Sequence, residues 1–371
     1  ALMAVLRIEG RGETREWTFL LPAGEQVRQV SADQQGRMLD PLAEGRGVHV
    51  ELSPAPPPRP AHQRTEAVTV LGHATETPLS PAEIAAVAGG INAAGGNIDR
   101  IVRLARYPVY AYEFRVTGAE PTALAQHLGE AAALHRLDIA RQPAGLERRA
   151  KRLVVLDVDS TLIQDEVIEL IAAEAGCLDE VRAVTERAMS GELDFTAALT
   201  ERVARLKGLE VDALDRARAR MRLTPGARTF VRTLKRLGYT VGIVSGGFTH
   251  FTDGLAAELG VDHARANQLE VHDGRLTGRV VGEVVDRGAK ARFLRSFAEA
   301  EGIPLSQTVA VGDGANDLDM LATAGLGVAF NAKPVVQEAA DTTVNVPYLD
   351  AILFVLGVTR DEVERADTDT G

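Results

Sequence analysis

The stretch VVLDVDST, Val154–Thr161, decides the fold because an apolar run ends there in two carboxylates. Such a run predicts a buried strand, and extended backbone points the side chains of Asp157 and Asp159, two positions apart, to the same side. Like charges this close raise each other's pKa unless a cation intervenes, which predicts a shared proton or a bound metal ion. Hard oxygen ligands on a loop favour Mg²⁺. Taken alone, the pair has a competing interpretation in which Asp159 or Ser160 caps a helix.

A second acidic loop follows another apolar run in VAVGDGANDLDM at 309–320, where Asp313 and Asp317 lie in a glycine-rich segment. Apolar runs separated by helical segments predict a doubly wound parallel α/β sheet. The carboxyl ends of parallel strands meet at the crevice in which open α/β sheets bind ligands, so we expect both acidic loops there. The runs that predict this sheet are 153–158, 240–245, 308–313 and 326–330.

Two further stretches offer groups suited to a phosphate. VSGGF at 244–248 ends a strand-like run and supplies the hydroxyl of Ser245 and the backbone of Gly246, which an anion can approach closely. Lys290 precedes a helical run and supplies a compact positive charge. Each has an ordinary interpretation by itself, since SGG also occurs in plain turns and a single lysine is usually a solvated surface residue.

An insertion and a hairpin interrupt the alternation of a domain expected over residues 150–360. Residues 164–222 contain three segments with apolar residues at i, i+3 and i+4, which predict a helical cap over the sheet. Asp273–Gly274 lies between two alternating stretches and predicts a small antiparallel hairpin. Residues 361–371 are expected to form a C-terminal tail.

The chain before this domain divides at the proline-rich stretch SPAPPPRP at 53–60. Prolines neither donate to sheets nor continue helices, so a linker is expected over 53–65. Residues 66–145 then alternate β-α-β-β-α-β, the split βαβ arrangement of a ferredoxin-like α+β domain. Residues 1–52 contain alternating runs that predict a small β-rich unit.

Length and composition restrict the class of protein. The 371 residues predict two or three domains, and 45% hydrophobic with 25% charged residues is ordinary globular composition. The 41 Lys and Arg against 52 Asp and Glu give a net charge of −11, which argues against nucleic acid and anionic membranes as partners. The single cysteine, Cys177, cannot form an internal disulfide and favours a cytoplasmic location. No stretch predicts a signal peptide or a membrane-spanning helix.

The motifs together, DxDST, SGG, a lysine and GDGxND in this order at strand ends, resemble the haloacid dehalogenase-type phosphotransferases over about residues 151–360. Within them, the cap and motifs are similar to the family that hydrolyses O-phospho-L-serine in the last step of serine biosynthesis. The resemblance implies that Asp157 attacks the phosphate to form an aspartyl-phosphate. It implies that Asp159 protonates the leaving oxygen and then activates water. It also implies Mg²⁺ held by Asp157, Asp313 and the Asp159 backbone carbonyl.

The same resemblance gives roles to the remaining polar positions. Ser245 and Gly246 are expected to hold the phosphoryl oxygens, and Lys290 to neutralise their charge. Asn316 is expected to help bind the phosphate. Asp317 is expected to orient Lys290 or the loop without itself contacting the substrate.

The resemblance also covers the cap, where it bears on the substrate. Glu166 is expected to engage the serine ammonium, and Arg202 the serine carboxylate, which suits a planar two-oxygen contact. Met189 and Phe195 are expected to close over the small substrate. The ordinary interpretation makes these residues helix-face charges and core side chains. Phosphothreonine and phosphohomoserine stay open as alternative substrates, because they offer the same ammonium and carboxylate.

Residues 66–142 resemble an ACT domain, the amino-acid-sensing module, and GGNIDRI at 95–101 carries the resemblance best. The stretch HATETPLSP at 73–81 replaces the glycine-containing ligand loop usual after the first strand. Residues 1–52 are a candidate reduced second copy. ACT domains commonly pair across chains, which implies a homodimer. A regulatory protein that senses an amino acid is therefore an alternative to an enzyme, although every catalytic position is present.

Overall fold

The structure, a computed structural model, describes residues 2–10, 13–21, 47–54, 65–72, 79–145, 148, 150–190 and 192–368. The chain divides into two compact units, Ala1–Ala144 and Gly145–Gly371. No helix among the described residues is long and apolar enough to cross a membrane.

The first unit begins with a three-stranded antiparallel sheet in the order β2-β1-β3. Its strands are β1 (Leu2–Gly10), β2 (Glu13–Leu21) and β3 (Gly47–Pro54). The hypothesis of a reduced ACT domain over 1–52 also concerns residues 22–46, which lie outside the described residues. So does most of the expected linker, since residues 55–64 are not described.

The rest of the first unit has the predicted β-α-β-β-α-β order, which confirms the ferredoxin-like fold. Its antiparallel sheet has the order β5-β6-β4-β7, and one core contains residues of both helices and the sheet, including Val87, Leu124 and Phe114. Residues 73–78 of the altered ligand loop lie outside the described residues. The elements are β4 (Thr65–Gly72), α1 (Pro81–Ala93), β5 (Asn97–Ala105), β6 (Ala111–Thr117), α2 (Pro121–His135) and β7 (Leu137–Pro143).

Helix α1 begins at Pro81, ahead of the apolar pattern that starts at Ile84, because a capping box forms at Ser80. The Ser80 hydroxyl accepts a hydrogen bond from the Glu83 amide at 3.3 Å, and the Glu83 carboxylate accepts one from the Ser80 amide. Pro81 occupies the first helical turn, where its missing N–H costs nothing. The helix signal therefore lies in polar residues ahead of the apolar pattern.

The second unit contains a seven-stranded sheet in the order β11-β10-β9-β8-β12-β13-β14, which confirms the α/β fold. All neighbouring strands are parallel except the β10–β11 hairpin, which turns at the predicted Asp273–Gly274. The hairpin extends the main sheet, since β10 also pairs with β9. The strands are β8 (Leu153–Leu156), β9 (Thr240–Phe248), β10 (His263–His272), β11 (Arg275–Val281), β12 (Thr308–Gly312), β13 (Gly327–Phe330) and β14 (Thr342–Val344).

The helices of this unit include four in the predicted cap and seven outside it. The cap helices are α3 (Val167–Ala175), α4 (Leu178–Met189), α5 (Phe195–Ala204) and α6 (Asp212–Ala219). The others are α7 (Ala227–Arg236), α8 (Thr249–Leu259), α9 (Arg287–Ala300), α10 (Leu318–Thr323), α11 (Pro334–Ala339), α12 (Ile352–Val355) and α13 (Arg360–Thr368).

The three central strands β9, β8 and β12 position the site. Their residues are almost entirely buried, and the core under them includes Val155, Val244 and Ala310 with Leu294 and Phe297 of α9. The chain leaves β8 and β12 in short polar turns, and β9 carries the SGG segment in its last residues, directly before α8. Because the strands are parallel neighbours, the three segments meet at one edge of the sheet.

Candidate active site

The turn that follows β8 carries the first two carboxylates. Asp157 comes directly after the strand and is 3% exposed. The next turn passes through Ser160, whose φ of 56° lies in the left-handed region. This turn brings Asp159 back toward the cap, where its Oδ1 accepts a hydrogen bond from the Val167 amide at 2.7 Å. Its Oδ2 accepts one from the Ser245 hydroxyl at 3.0 Å.

Lys290 lies between two carboxylates with its side chain fully buried. Its Nζ is 2.7 Å from Asp157 Oδ1 and 2.6 Å from Asp317 Oδ1. The position is set by the start of α9, where the Asp286 side chain accepts a hydrogen bond from the Ala289 amide at 2.7 Å. Burial alone would lower the pKa of Lys290, but the two carboxylates outweigh it and raise the pKa, so the ammonium stays charged.

Asp317 holds both the lysine and the loop that carries Asp313. While Oδ1 accepts from Lys290, Oδ2 accepts hydrogen bonds from the amides of Asp313 at 3.2 Å and Gly314 at 3.0 Å. The Asn316 side chain packs against Gly314 and leaves no room there for a larger residue. Asp317 therefore contacts both the lysine and the loop that it is expected to orient.

Three carboxylates converge at this edge of the sheet. One oxygen from each of Asp157, Asp313 and Asp317 lies within 4.8 Å of the other two. Burial raises the pKa of Asp157 well above its usual range, and the charges of Asp317 and Asp313 add to the effect. Burial and the charge of Asp317 raise the pKa of Asp313 to about 6. Lys290 offsets only part of this negative charge, so the arrangement favours a further cation.

These groups fit the Mg²⁺ ion that the motifs imply, because hard carboxylate oxygens are its preferred protein ligands. Both oxygens of Asp317 are already engaged with Lys290 and the loop amides, which leaves Asp157 and Asp313 as side-chain ligands. The side chain of Asp159 is outside the cluster. The expectation that the backbone carbonyl of Asp159 binds the metal stays a prediction.

The cap contributes one acidic and one basic group. Glu166 lies at the start of α3, and its Oε1 accepts a hydrogen bond from the Ser160 hydroxyl at 2.8 Å. Burial, with the charge of Asp159, raises the pKa of Glu166 to about 7. Burial lowers the pKa of Arg202, and the charges of Glu166 and Asp159 offset part of that lowering. A positive and a negative group therefore face the same region beside Asp159.

Phe195 lies against the SGG segment of β9, while the side chain of Met189 is outside the described part of the structure. A Cβ built on Gly246 would be 3.1 Å from Phe195 Cζ, so the ring covers that glycine closely. The structure thus brings Phe195 into contact with the last residues of β9. The expectation for Met189 stays a prediction.

Two contacts at the site involve residues to which the sequence gave no role. The hydroxyl of Thr161 donates a hydrogen bond to Asp313 Oδ1 at 3.2 Å and so joins the two acidic loops. Thr161 belongs to the DxDST motif, so its position was a usable signal. Asn267 hydrogen-bonds the Gly246 carbonyl and the Val285 amide, each at 2.8 Å. Nothing in the local sequence around Asn267 distinguishes it from an ordinary strand residue.

The fold and the site define a haloacid dehalogenase-like hydrolase, and the model of that family matches residues 154–322. An ACT domain model matches residues 64–142. A phosphoserine phosphatase of Streptomyces coelicolor is 65% identical over 301 residues, which are 81% of this chain and 72% of that protein. The chain belongs to the phosphoserine phosphatase family.

Solved structures agree with this assignment. A probable phosphoserine phosphatase from Vibrio cholerae in its unliganded form is 38% identical, with a TM-score of 0.63 over 78% of this chain and 86% of that one. A phospho-aspartyl intermediate analogue of a phosphoserine phosphatase is 45% identical, with a TM-score of 0.53 over 55% of this chain and 98% of that one. The first match covers more of this chain than the second unit contains, so it reaches into the first unit.

Proposed function

We propose that this chain hydrolyses O-phospho-L-serine to L-serine and phosphate through an aspartyl-phosphate on Asp157. The observation that carries the proposal is the pairing of a buried carboxylate, Asp157, with the ammonium of Lys290 at 2.7 Å, beside a second carboxylate, Asp159, held by hydrogen bonds. Such a pair provides a nucleophile and a separate acid–base group. The relative captured as a phospho-aspartyl intermediate analogue supports the same chemistry.

In the first half-reaction, an oxygen of Asp157 bonds to phosphorus while the bond from phosphorus to the serine oxygen breaks. Asp159 gives its proton to that oxygen, and burial favours this role because it raises the pKa of Asp159. In the second half-reaction, Asp159 takes a proton from water as the water oxygen bonds to phosphorus. The bond to Asp157 then breaks, and phosphate leaves.

The remaining charge is balanced by groups around the phosphoryl position. Lys290 offsets negative charge, while Ser245, Gly246 and Asn316 hold the phosphoryl oxygens. Mg²⁺ held by Asp157, Asp313 and the Asp159 carbonyl would supply further positive charge at these oxygens. Asp317 orients Lys290 through their 2.6 Å contact.

The cap selects the amino-acid part of the substrate. Glu166 pairs with the ammonium group, and Arg202 with the carboxylate, while Met189 and Phe195 enclose the small side chain. Phosphothreonine and phosphohomoserine present the same two charged ends, so the enclosed volume has to discriminate against them.

In this proposal, the first unit senses an amino acid. Its ACT domain binds an amino-acid effector and pairs with a second copy of the chain in a homodimer. The single cysteine and the net charge of −11 favour a reducing cytoplasmic location and a small-molecule substrate over nucleic acid or membranes.

The test is phosphate release from O-phospho-L-serine with Mg²⁺ or with EDTA, for the parent and Asp157→Asn. We expect release by the parent that both EDTA and the substitution abolish, since Asn cannot act as the nucleophile. O-phospho-L-threonine serves as the comparison substrate. Release from phosphothreonine alone would retain the mechanism and remove the serine assignment, and no release from either ester would contradict both.

A further inference from the structure

A buried amide, Asn267, joins two segments of the site that are distant in sequence. It is 1% exposed, and its Nδ2 donates a hydrogen bond to the Gly246 carbonyl at 2.8 Å. Its Oδ1 accepts one from the Val285 amide at 2.8 Å, just before the helix that carries Lys290. Buried polar groups need hydrogen-bond partners, and both ends of this amide find them in the backbone of the site.

Asn267 lies where regular pairing between β9 and β10 is interrupted. The two strands pair in parallel up to Arg265, and the register shifts before Asn267. After the shift Asn267 pairs with Phe248, so Gly246 lies in the bulged part of β9 between the two paired stretches. The side chain therefore supplies a hydrogen bond to the SGG segment at the place where the strand ladder is broken.

The contact extends through a chain of hydrogen bonds to Asp159. The Gly246 carbonyl and the Gly247 N–H belong to one planar peptide, so fixing the direction of one fixes the other. The Gly247 N–H donates to Ser245 Oγ at 2.8 Å, and the Ser245 hydroxyl donates to Asp159 Oδ2 at 3.0 Å. Hydrogen bonds arranged in such a chain strengthen one another.

The two glycines have no side chain that could orient this peptide. A Cβ on Gly247 would be 2.9 Å from Ser245 Oγ and 3.0 Å from Asp159 Oδ2, so glycine is needed for the close approach. Glycine backbone is also the most free to rotate. The orientation must therefore come from outside the turn, and Asn267 is a buried group that supplies it.

We infer that Asn267 is a positioning residue, which orients the Gly246–Gly247 peptide and, through it, the Ser245 hydroxyl toward the phosphoryl group. The inference rests on the proposed function, in which Ser245 and Gly246 hold phosphoryl oxygens. Donors placed in advance matter most where charge develops in the transition state, so a misaligned turn lowers kcat more than it changes KM.

The experiment compares the full-length parent with Asn267→Ala and Asn267→Ser. Ala removes both the donor to Gly246 and the acceptor for Val285, and Ser shortens the side chain but keeps a hydroxyl. The control is Thr308→Val, at the amino end of β12. The fully buried Thr308 hydroxyl also joins two backbone segments, donating to Leu305 O at 2.8 Å and accepting from the Gly325 amide at 3.2 Å.

Three quantities are measured for each protein: kcat and KM for O-phospho-L-serine, the affinity for orthovanadate with Mg²⁺ by calorimetry, and the melting temperature. We expect both Asn267 variants to lower kcat and vanadate affinity about 10- to 100-fold, with KM changed less than about threefold. Thr308→Val should lower the melting temperature and leave kcat and vanadate affinity near those of the parent.

Asn267 variants that lose only melting temperature, as the control does, would overturn the inference and reduce Asn267 to a structural bridge. If the parent releases no phosphate from phosphoserine, the proposed function fails. A selective loss of vanadate binding in the Asn267 variants would then still support the positioning role, and unchanged vanadate binding would refute it.

Discussion

Lys290 shows at the scale of one residue how stability and chemistry depend on each other. Its ammonium is fully buried, and it approaches two carboxylates that are themselves buried. Removing one partner of a buried ion pair leaves the other charges uncompensated, which costs more than losing an exposed pair. The same charge that balances these carboxylates in the resting site faces the phosphoryl group in the proposed reaction.

Lys290→Met should therefore lower the free energy of unfolding by about 3–5 kcal/mol in the metal-free protein. The matched control is Lys235→Met, which breaks an ion pair with Asp262 whose two side chains are about one-third exposed. The control should lose at most about 1 kcal/mol. Urea unfolding of the three proteins measures the difference, and equal losses would contradict the account of Lys290.

The raised pKa of Asp313 allows a prediction of how Mg²⁺ binding depends on pH. Its folded-state pKa of about 6 lies above the usual value of 3.8, so its ionisation opposes folding, with the full cost present above about pH 6. This cost shrinks as pH falls from about 6 toward 3.8, because the folded protein takes up the proton first. A bound cation removes the same cost, so protons and Mg²⁺ compete.

Millimolar Mg²⁺ should accordingly raise the melting temperature more at about pH 7.5 than at about pH 5. Thermal unfolding with and without Mg²⁺ at both values measures the effect, and Asp313→Asn should abolish most of it. An equal shift at the two pH values in the parent would show that Asp313 is not part of the cation site.

At the scale of elements, backbone hydrogen bonds join the cap to the rest of the unit at its crossing segments and at the hairpin. The crossing segments pair at Ile163 and Leu223, and Gln164 N donates to Arg222 O at 2.9 Å. The second attachment is to the hairpin, where Gly208 N donates to Leu276 O and Leu276 N to Leu209 O, both at 2.8 Å. The hairpin that sequence predicts as a small excursion is thus a support for the cap. Its dipeptide signal sets the turn but says nothing about this contact.

A substitution at Gly278 of β11 tests this second attachment. Its φ is 83°, and a Cβ there would be 3.0 Å from Lys207 Cβ and 3.3 Å from Ala204 Cα, both in the cap. Gly278→Ala should therefore cost about 1 kcal/mol in backbone strain. The new methyl group should also displace the cap sterically. Its KM for O-phospho-L-serine should rise, because the cap carries Glu166 and Arg202.

Gly282→Ala is the matched control, since Gly282 has a φ of 80° and open space around its Cβ position. It should show the backbone strain alone, with KM unchanged. Urea unfolding and steady-state kinetics on both variants separate the two contributions. Identical behaviour of the two variants would mean that the contact with the cap has no energetic weight.

At the scale of the whole molecule, every candidate site residue lies in the second unit, Gly145–Gly371. This unit has its own buried core and sheet. A fragment of residues 145–371 should therefore fold and keep kcat for O-phospho-L-serine within about threefold of the full chain. Circular dichroism and phosphate release measure this, with Asp157→Asn in the fragment as the inactive control. A folded but inactive fragment would show that the first unit takes part in catalysis.

The sequence by itself determined the strand-ending motifs and hence the α/β class, the acidic loops and the lysine. These follow from consecutive residues, because a short apolar run and the polar turn after it already fix where side chains such as Asp157 and Asp313 emerge. The apolar patterns of the two helices in the first unit, and the split βαβ order of that unit, are local patterns of the same kind.

Only the tertiary structure decided contacts between segments far apart in the chain. The bridge from Asn267 to Gly246 and Val285 has no local signature. Thr161 belongs to a motif, but its bond to Asp313 depends on where packing places the second acidic loop. The support of the cap by the hairpin also depends on which segments packing brings together. Such contacts are set by the whole core, because a side chain's partner depends on how every strand and helix around it is placed.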